Sequence, residues 1–183
     1  MKIETLETLL QSELMDIYDA ERRLIKALPK IAKAASSDEL RRAIEEHLEV
    51  TKGQVQRLEQ VFQLFDFPVK AKPCAGMKGL IEEGEKIQSD IDEGALLDAA
   101  LIGAAQRVEH YEMAVYGTAR TLAEQLENTE AAGLLEETLN EEKHADAKLT
   151  EVAEQLLADM SSEEPAKTEP RQTKKERTRA LRA

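Results

Sequence analysis

Two acidic residues stand where apolar side chains are expected. Leu14, Ile17, Glu21, Leu24 and Leu28 recur at intervals of three and four, the spacing of one helix face. Ala105, Val108, Glu112, Val115 and Ala119 repeat the pattern, with Glu112 in the place of Glu21. The match reads as a weak internal repeat of one helical hairpin. Glu142 and Asp146 lie four apart between Leu139 and Leu149, on one face of a further helical stretch. Carboxylates gathered in a dry interior repel one another and cannot all stay ionised unaided. A bound cation resolves that conflict, and carboxylate clusters inside helical bundles are how two-iron and two-manganese sites are built.

The levels of these residues agree. Turns are expected near residues 36–37 and 128–129, so Glu21 lies level with about residue 52 and Glu112 with about residue 145. Glu142 and Asp146 bracket the second level. Glu109 falls on the flank of the same stripe as Glu112, close enough to act as a second carboxylate. The second helix is expected to contribute least. By the repeat, Glu142 and Asp146 correspond to Val50 and Gln54. Valine cannot bind metal, and Gln54 offers only a carbonyl oxygen. His47 sits on the flank of its stripe, one turn before Thr51 and several ångströms off level. The candidate ligand set is therefore Glu21, Glu112, Glu142 and Asp146, with Glu109, His47 and Gln54 as further members. The spacing Glu141-x-x-His144 imitates a metal motif, but register puts Glu141 on the flank and His144 on the back of its helix. His110 likewise points outward.

A plainer explanation of the same acids is a set of buried hydrogen bonds to Tyr18, Tyr116, Thr51 or an arginine. Tyr18 and Tyr116 themselves read as core residues with satisfied hydroxyls, with hydrogen bonds to ligating carboxylates as the alternative. Cys74 lies near Met77, which raises a soft-metal or redox site. A lone cysteine in a connecting segment reads instead as a packed residue.

Four long helical patterns must position these groups: Ile3–Ala35, Glu39–Phe65, Ala95–Leu126 and Glu130–Ala158. Pro29 inside the first allows a kink. Short connections make the first two, and the last two, antiparallel neighbours. Between the pairs run residues 66–93, which contain a short helix in "GLIEEGEKIQSDI" and are long enough to recross the bundle. Two hairpins joined by one long crossover is the ferritin-like connectivity, so the expected fold is an all-α four-helix bundle over residues 1–159. Residues 160–183 lack apolar periodicity and are expected to form a disordered basic tail.

The composition agrees. Of 183 residues, 34% are charged and 3% aromatic, with eight glycines and five prolines, which favours helices over sheets. The net charge of −12 sets most of the surface against nucleic acid and anionic membranes. Only the basic tail could touch nucleic acid. The chain lacks a transmembrane-length apolar run and a secretory leader pattern. Its single cysteine excludes an intramolecular disulfide framework. A cytoplasmic protein is expected.

The stretches "LMDIYDAERRLIKALPKIAKAASS", "HLEVTKGQVQRLEQVF", "CAGMKGLIEEG" and "DAALIGAAQRVEHYEMAVYGTARTLAEQL" resemble the YciE/YciF-type ferritin-like proteins, bacterial stress-associated proteins. The resemblance spans residues 3–157. It implies a ferritin-like bundle, a homodimer, and a di-iron-type centre mapping onto Glu21, Glu112, Glu142 and Asp146, with Glu109 beside them. The family pattern often has Glu and His where Val50 and Gln54 stand. That departure fits a single-metal site or a partly lost two-metal site. The functional expectation is a stress-response protein whose bound iron or manganese handles oxygen or peroxide. The alternative is a non-catalytic helical stress protein that acts through dimerisation or partner binding.

Overall fold

In the computed structural model, residues 2–163 are described. They form five helices: α1 (Leu6–Ala34), α2 (Asp38–Leu64), α3 (Ala75–Asp90), α4 (Ala95–Gln125) and α5 (Thr129–Glu163). No strand occurs among the described residues. Each long helix matches one of the expected patterns to within a few residues at either end. α5 runs to Glu163, past the expected bundle boundary at residue 159. The basic tail otherwise lies outside the described residues. Pro29 sits inside α1, and the helix continues through it to Ala34.

Local chemistry sets the ends. Thr5 and Thr8 form a reciprocal capping box at the start of α1, satisfying amides that have no partner in the first turn. Ser37 accepts from the Leu40 amide to start α2. Asn128 accepts from the Ala131 amide to start α5. α2 and α4 both end in a left-handed residue, Asp66 at φ 53° and Glu127 at φ 58°. The following amides close back in the Schellman arrangement, Phe67 onto the Phe62 carbonyl at 2.9 Å and Asn128 onto the Ala123 carbonyl at 3.1 Å. Gly94 stands at φ +139° before α4, a conformation that only glycine adopts without strain.

α1 packs on α2 and α4, and α5 packs on α4 and α2, so the order around the bundle is α1–α2–α5–α4. α3 lies in the crossover, against α1 and α4. One apolar cluster joins the start of α1 (Leu10, Leu14), the end of α2 (Leu58, Phe62), the end of α4 (Tyr116, Leu122) and the start of α5 (Leu135). α1 therefore runs antiparallel to both α2 and α4, the ferritin-like connectivity that the sequence predicts. A second cluster fills the other end, with Leu24 and Leu28, Leu40 and Ile44, Leu97 and Leu101, and Leu149. Between the two clusters lies a buried polar layer.

Two ties fix the elements that carry this layer. Asp98 in the first turn of α4 is buried. It accepts from the Ser36 amide at 2.9 Å and the Ser37 amide at 2.7 Å, pinning α4 to the turn between α1 and α2. In the crossover, Cys74 and Met77 are both buried. The Cys74 sulfur accepts from the Met77 amide and lies 3.0 Å from the Tyr111 hydroxyl. That is the packed role expected of this cysteine. Gly76 allows the approach, since a Cβ there would meet the Tyr111 ring at 2.7 Å.

Candidate metal centre

The polar layer is built from residues that each of the four long helices turns inward at mid-length. α1 contributes Glu21, α2 contributes His47, Thr51 and Gln54, α4 contributes Glu109 and Glu112, and α5 contributes Glu142. Glu21 and Glu142 have no exposed surface, Glu112 has 1% and Glu109 has 3%. His47, Glu109, Glu112 and Glu142 each direct one possible ligand atom into a common space, and these four atoms lie within 4.8 Å of one another. The His47 Nε2 is 3.5 Å from Glu109 Oε1 and 3.9 Å from Glu142 Oε2.

The protein does not satisfy these atoms. Both oxygens of Glu112, Oε2 of Glu21, Glu109 and Glu142, Nε2 of His47 and Oε1 of Gln54 are buried without a hydrogen-bond partner. Native interiors leave few buried polar groups unpaired, and an unpaired buried acceptor costs about 1–3 kcal/mol. A cation bound among these seven atoms would give them the partner that the protein does not. The donor set fits one: three carboxylates and a neutral imidazole suit a divalent iron or manganese ion.

The electrostatics agree. Burial pushes the Glu112 carboxyl well above the usual carboxylate range, and the charges of Glu21, Glu142 and Glu109 push it further. Burial and its acidic neighbours raise Glu21 and Glu142 in the same direction. Glu109 is pushed up to about 8, chiefly by burial. Burial holds His47 below its ordinary value, so its imidazole is neutral and able to ligate. A divalent cation would reverse the carboxyl shifts by supplying the missing positive charge.

A surrounding set of side chains orients the layer. Tyr116 donates to Glu21 Oε1. The Gln54 amide nitrogen donates to Glu142 Oε1 and to Glu141 Oε2 at 3.1 Å. Arg57 grips Glu141 with two bonds, at 2.8 and 2.9 Å, and also binds Glu137 and Thr138. Tyr18 donates to Glu59 at 2.7 Å, away from the layer. A cleft of about 780 Å³ opens between α2 and α5. Ile44, Val50, Ala105 and Leu149 form apolar parts of its wall, and His47 and Glu109 line it, so the polar layer borders a route to solvent.

The candidate residues fall into three groups in space. Glu109, Glu112, Glu142 and His47 are brought together. Glu21 and Gln54 adjoin this group without entering it. Glu21 has one oxygen engaged by Tyr116, and Gln54 presents its amide nitrogen rather than its carbonyl. Asp146 stands apart, bonded to Gln106 at 3.1 Å and facing His110 at 3.4 Å. The reason is angular. Glu142 points toward the bundle axis, whereas a residue four further on is rotated about 40° and meets α4. Glu141, one residue back, is rotated the other way onto α2. His47 is on level after all, because the layer spans two turns, with Glu109 opposite His47 and Glu112 one turn further along. Thr51, not Val50, is the counterpart of Glu142. A single offset of 91 residues relates Glu21 to Glu112, the capping Ser37 to Asn128, and Thr51 to Glu142. Val50 is 37% exposed.

The chain and its fold have relatives. Protein YciF of Escherichia coli (strain K12) is 47% identical over 154 residues, covering 84% of this chain and 93% of that protein. The crystal structure of the E. coli stress protein YciF superposes with a TM-score of 0.83 at 45% identity, covering 85% of this chain and 99% of that one. YcfI from Rhodopseudomonas palustris superposes with a TM-score of 0.80 at 41% identity, covering 81% of this chain and 95% of that one. Over residues 5–161 the sequence matches the family model described as "Domain of unknown function (DUF892)", and the chain belongs to that family, with the ferritin-like helical fold of its YciF relatives.

Proposed function

We propose that this chain is a stress-response protein that binds iron or manganese through His47, Glu109, Glu112 and Glu142 and uses the ion to react with oxygen or peroxide. One observation carries the metal reading: Glu112 is fully buried with neither carboxylate oxygen paired, within 4.8 Å of three further possible ligand atoms. The stress role is supported by the likeness to E. coli YciF, which is described as a stress protein. Bound iron or manganese would supply one-electron exchange with a small oxidant. The chain's own residues would do the rest. The carboxylates and His47 hold the ion, Tyr116 orients Glu21, and the α2–α5 cleft admits a small oxidant past apolar walls. The proposal includes a homodimer, as the family resemblance implies.

The test is anaerobic loading with Fe(II), removal of free iron, and addition of hydrogen peroxide. The loaded protein is expected to consume peroxide faster than an equal amount of free Fe(II), and Glu112→Ala and Glu142→Ala, which should not retain the ion, are expected to lose that gain. Equal rates for loaded protein and free iron would sink the redox half of the proposal. A second reading, a non-catalytic scaffold acting through partner contacts, is favoured by the R. palustris relative, which is described only as a candidate structural protein. A loaded protein that leaves peroxide untouched would support it.

A further inference from the structure

A two-ion carboxylate centre in a four-helix bundle takes one Glu from each of two helices and a Glu-x-x-His pair from each of the other two. The 91-residue offset shows where those six positions fall here. The single glutamates are Glu21 and Glu112. The paired positions are Thr51 with Gln54 on α2, and Glu142 with Ala145 on α5. Both histidines and one glutamate of that pattern are replaced. The losses are uneven between the hairpins, and the geometry records the consequence.

In the α1–α2 half, Thr51 is fully buried, but its hydroxyl turns away to its own helix, donating to the His47 carbonyl at 2.9 Å. Gln54 faces two carboxylates with its NH₂, donating to Glu142 Oε1 and Glu141 Oε2. Those two acceptors fix the amide orientation, because its carbonyl would be repelled there. A cation cannot share the space with that NH₂. The same bond occupies Glu142 Oε1, leaving only Oε2 free. A carboxylate with one free oxygen cannot place a separate oxygen on each of two ions about 3.5–4 Å apart. Glu21 Oε1 is held by Tyr116. In the α4–α5 half, by contrast, Glu112 and Glu142 are supplemented by Glu109 from α4 and by His47 from α2.

On the metal-binding reading above, we infer that the centre holds one ion per chain, in the α4–α5 half, and that Thr51 and Gln54 set that number by filling the second position with a polar plug. His47 takes the part of the missing α5 histidine from the neighbouring helix α2. The plug gives the remaining ion an asymmetric site, bounded on one side by a hydrogen-bond donor instead of a second cation.

Manganese(II) provides the probe. Metal-free protein equilibrated with excess Mn(II) and freed of unbound ion is expected to retain one Mn(II) per chain, with the six-line paramagnetic resonance spectrum of an isolated ion. The double variant Thr51→Glu, Gln54→His is expected to retain two, with the broadened spectrum of a spin-coupled pair. Two ions or a coupled spectrum in the unaltered protein would overturn the inference while leaving the metal-binding reading intact. No retained ion in the unaltered protein would overturn both. A double variant that keeps the helical circular dichroism of the unaltered protein yet still holds one ion would overturn the roles given to Thr51 and Gln54. If the double variant fails to fold, the count and spectrum of the unaltered protein decide the number of ions. Gln54→Ala, which frees Glu142 Oε1 and empties the plug, then tests the residue assignment: a second ion is expected, and retention of one would overturn the role of Gln54.

Discussion

At the scale of the residue, the unpaired buried carboxyls make stability depend on pH in a definite direction. Glu21, Glu109, Glu112 and Glu142 are all raised by burial and by one another, Glu109 to about 8. Such a group binds its proton more tightly in the folded chain. The stability it confers is complete below its unfolded value, about 4.3, and is lost as pH rises through its folded value. His47 is depressed, so its own contribution is lost as pH falls below about 6.5. Without metal, the urea midpoint is therefore expected to fall between about pH 6.5 and pH 8. Glu112→Gln should flatten that fall and stabilise the metal-free protein by about 1–3 kcal/mol at pH 8. A midpoint that holds steady over this range, together with a destabilised Glu112→Gln, would mean that the layer is satisfied without a cation. Three members of the layer, Glu21, Glu112 and Glu142, are legible in the sequence because each interrupts an apolar stripe. Asp146 satisfies the same test but is turned toward Gln106. A face that is four residues wide on paper is wider than the bundle axis. His47 is harder to place because its level reads against residue 52, opposite Glu21, whereas its nearest carboxylate is Glu109.

At the scale of the element, the helices were legible because period and punctuation agree. The apolar stripes, Ser37 and the prolines of "DFPVKAKP" mark the same segments that the structure folds. The ties between helices were not legible. Asp98 reads as an ordinary first-turn acid of α4, and only the fold brings the Ser36 and Ser37 amides to it. The start of α3 was expected at Gly79 and lies at Ala75, because the Cys74 sulfur caps it. A cysteine is not a residue from which a cap is ordinarily inferred. Asp98→Ala removes a buried acceptor from two amides and should cost about 2–3 kcal/mol. The loss is read as a lower urea midpoint with an unchanged slope. A change under about 0.5 kcal/mol, the usual effect of a surface substitution, would show that the turn between α1 and α2 holds without this tie.

At the scale of the whole molecule, two apolar clusters enclose a polar layer that neither can satisfy. The bundle thus holds these atoms in place by itself, and an ion that binds only the folded chain would add its binding energy to stability. At a free concentration about 100 times the dissociation constant, that addition is about 2.7 kcal/mol. No helix among the described residues is long and apolar enough to cross a membrane. The most direct test of the centre is metal analysis of protein purified without chelator and reconstituted with Fe(II) or Mn(II), beside Glu112→Ala and Glu142→Ala. The unaltered protein is expected to retain iron or manganese in stoichiometric amount, and both variants are expected to retain little. An unaltered protein that holds neither metal after reconstitution would contradict the existence of the centre, and equal retention by the two variants would contradict its placement on Glu112 and Glu142.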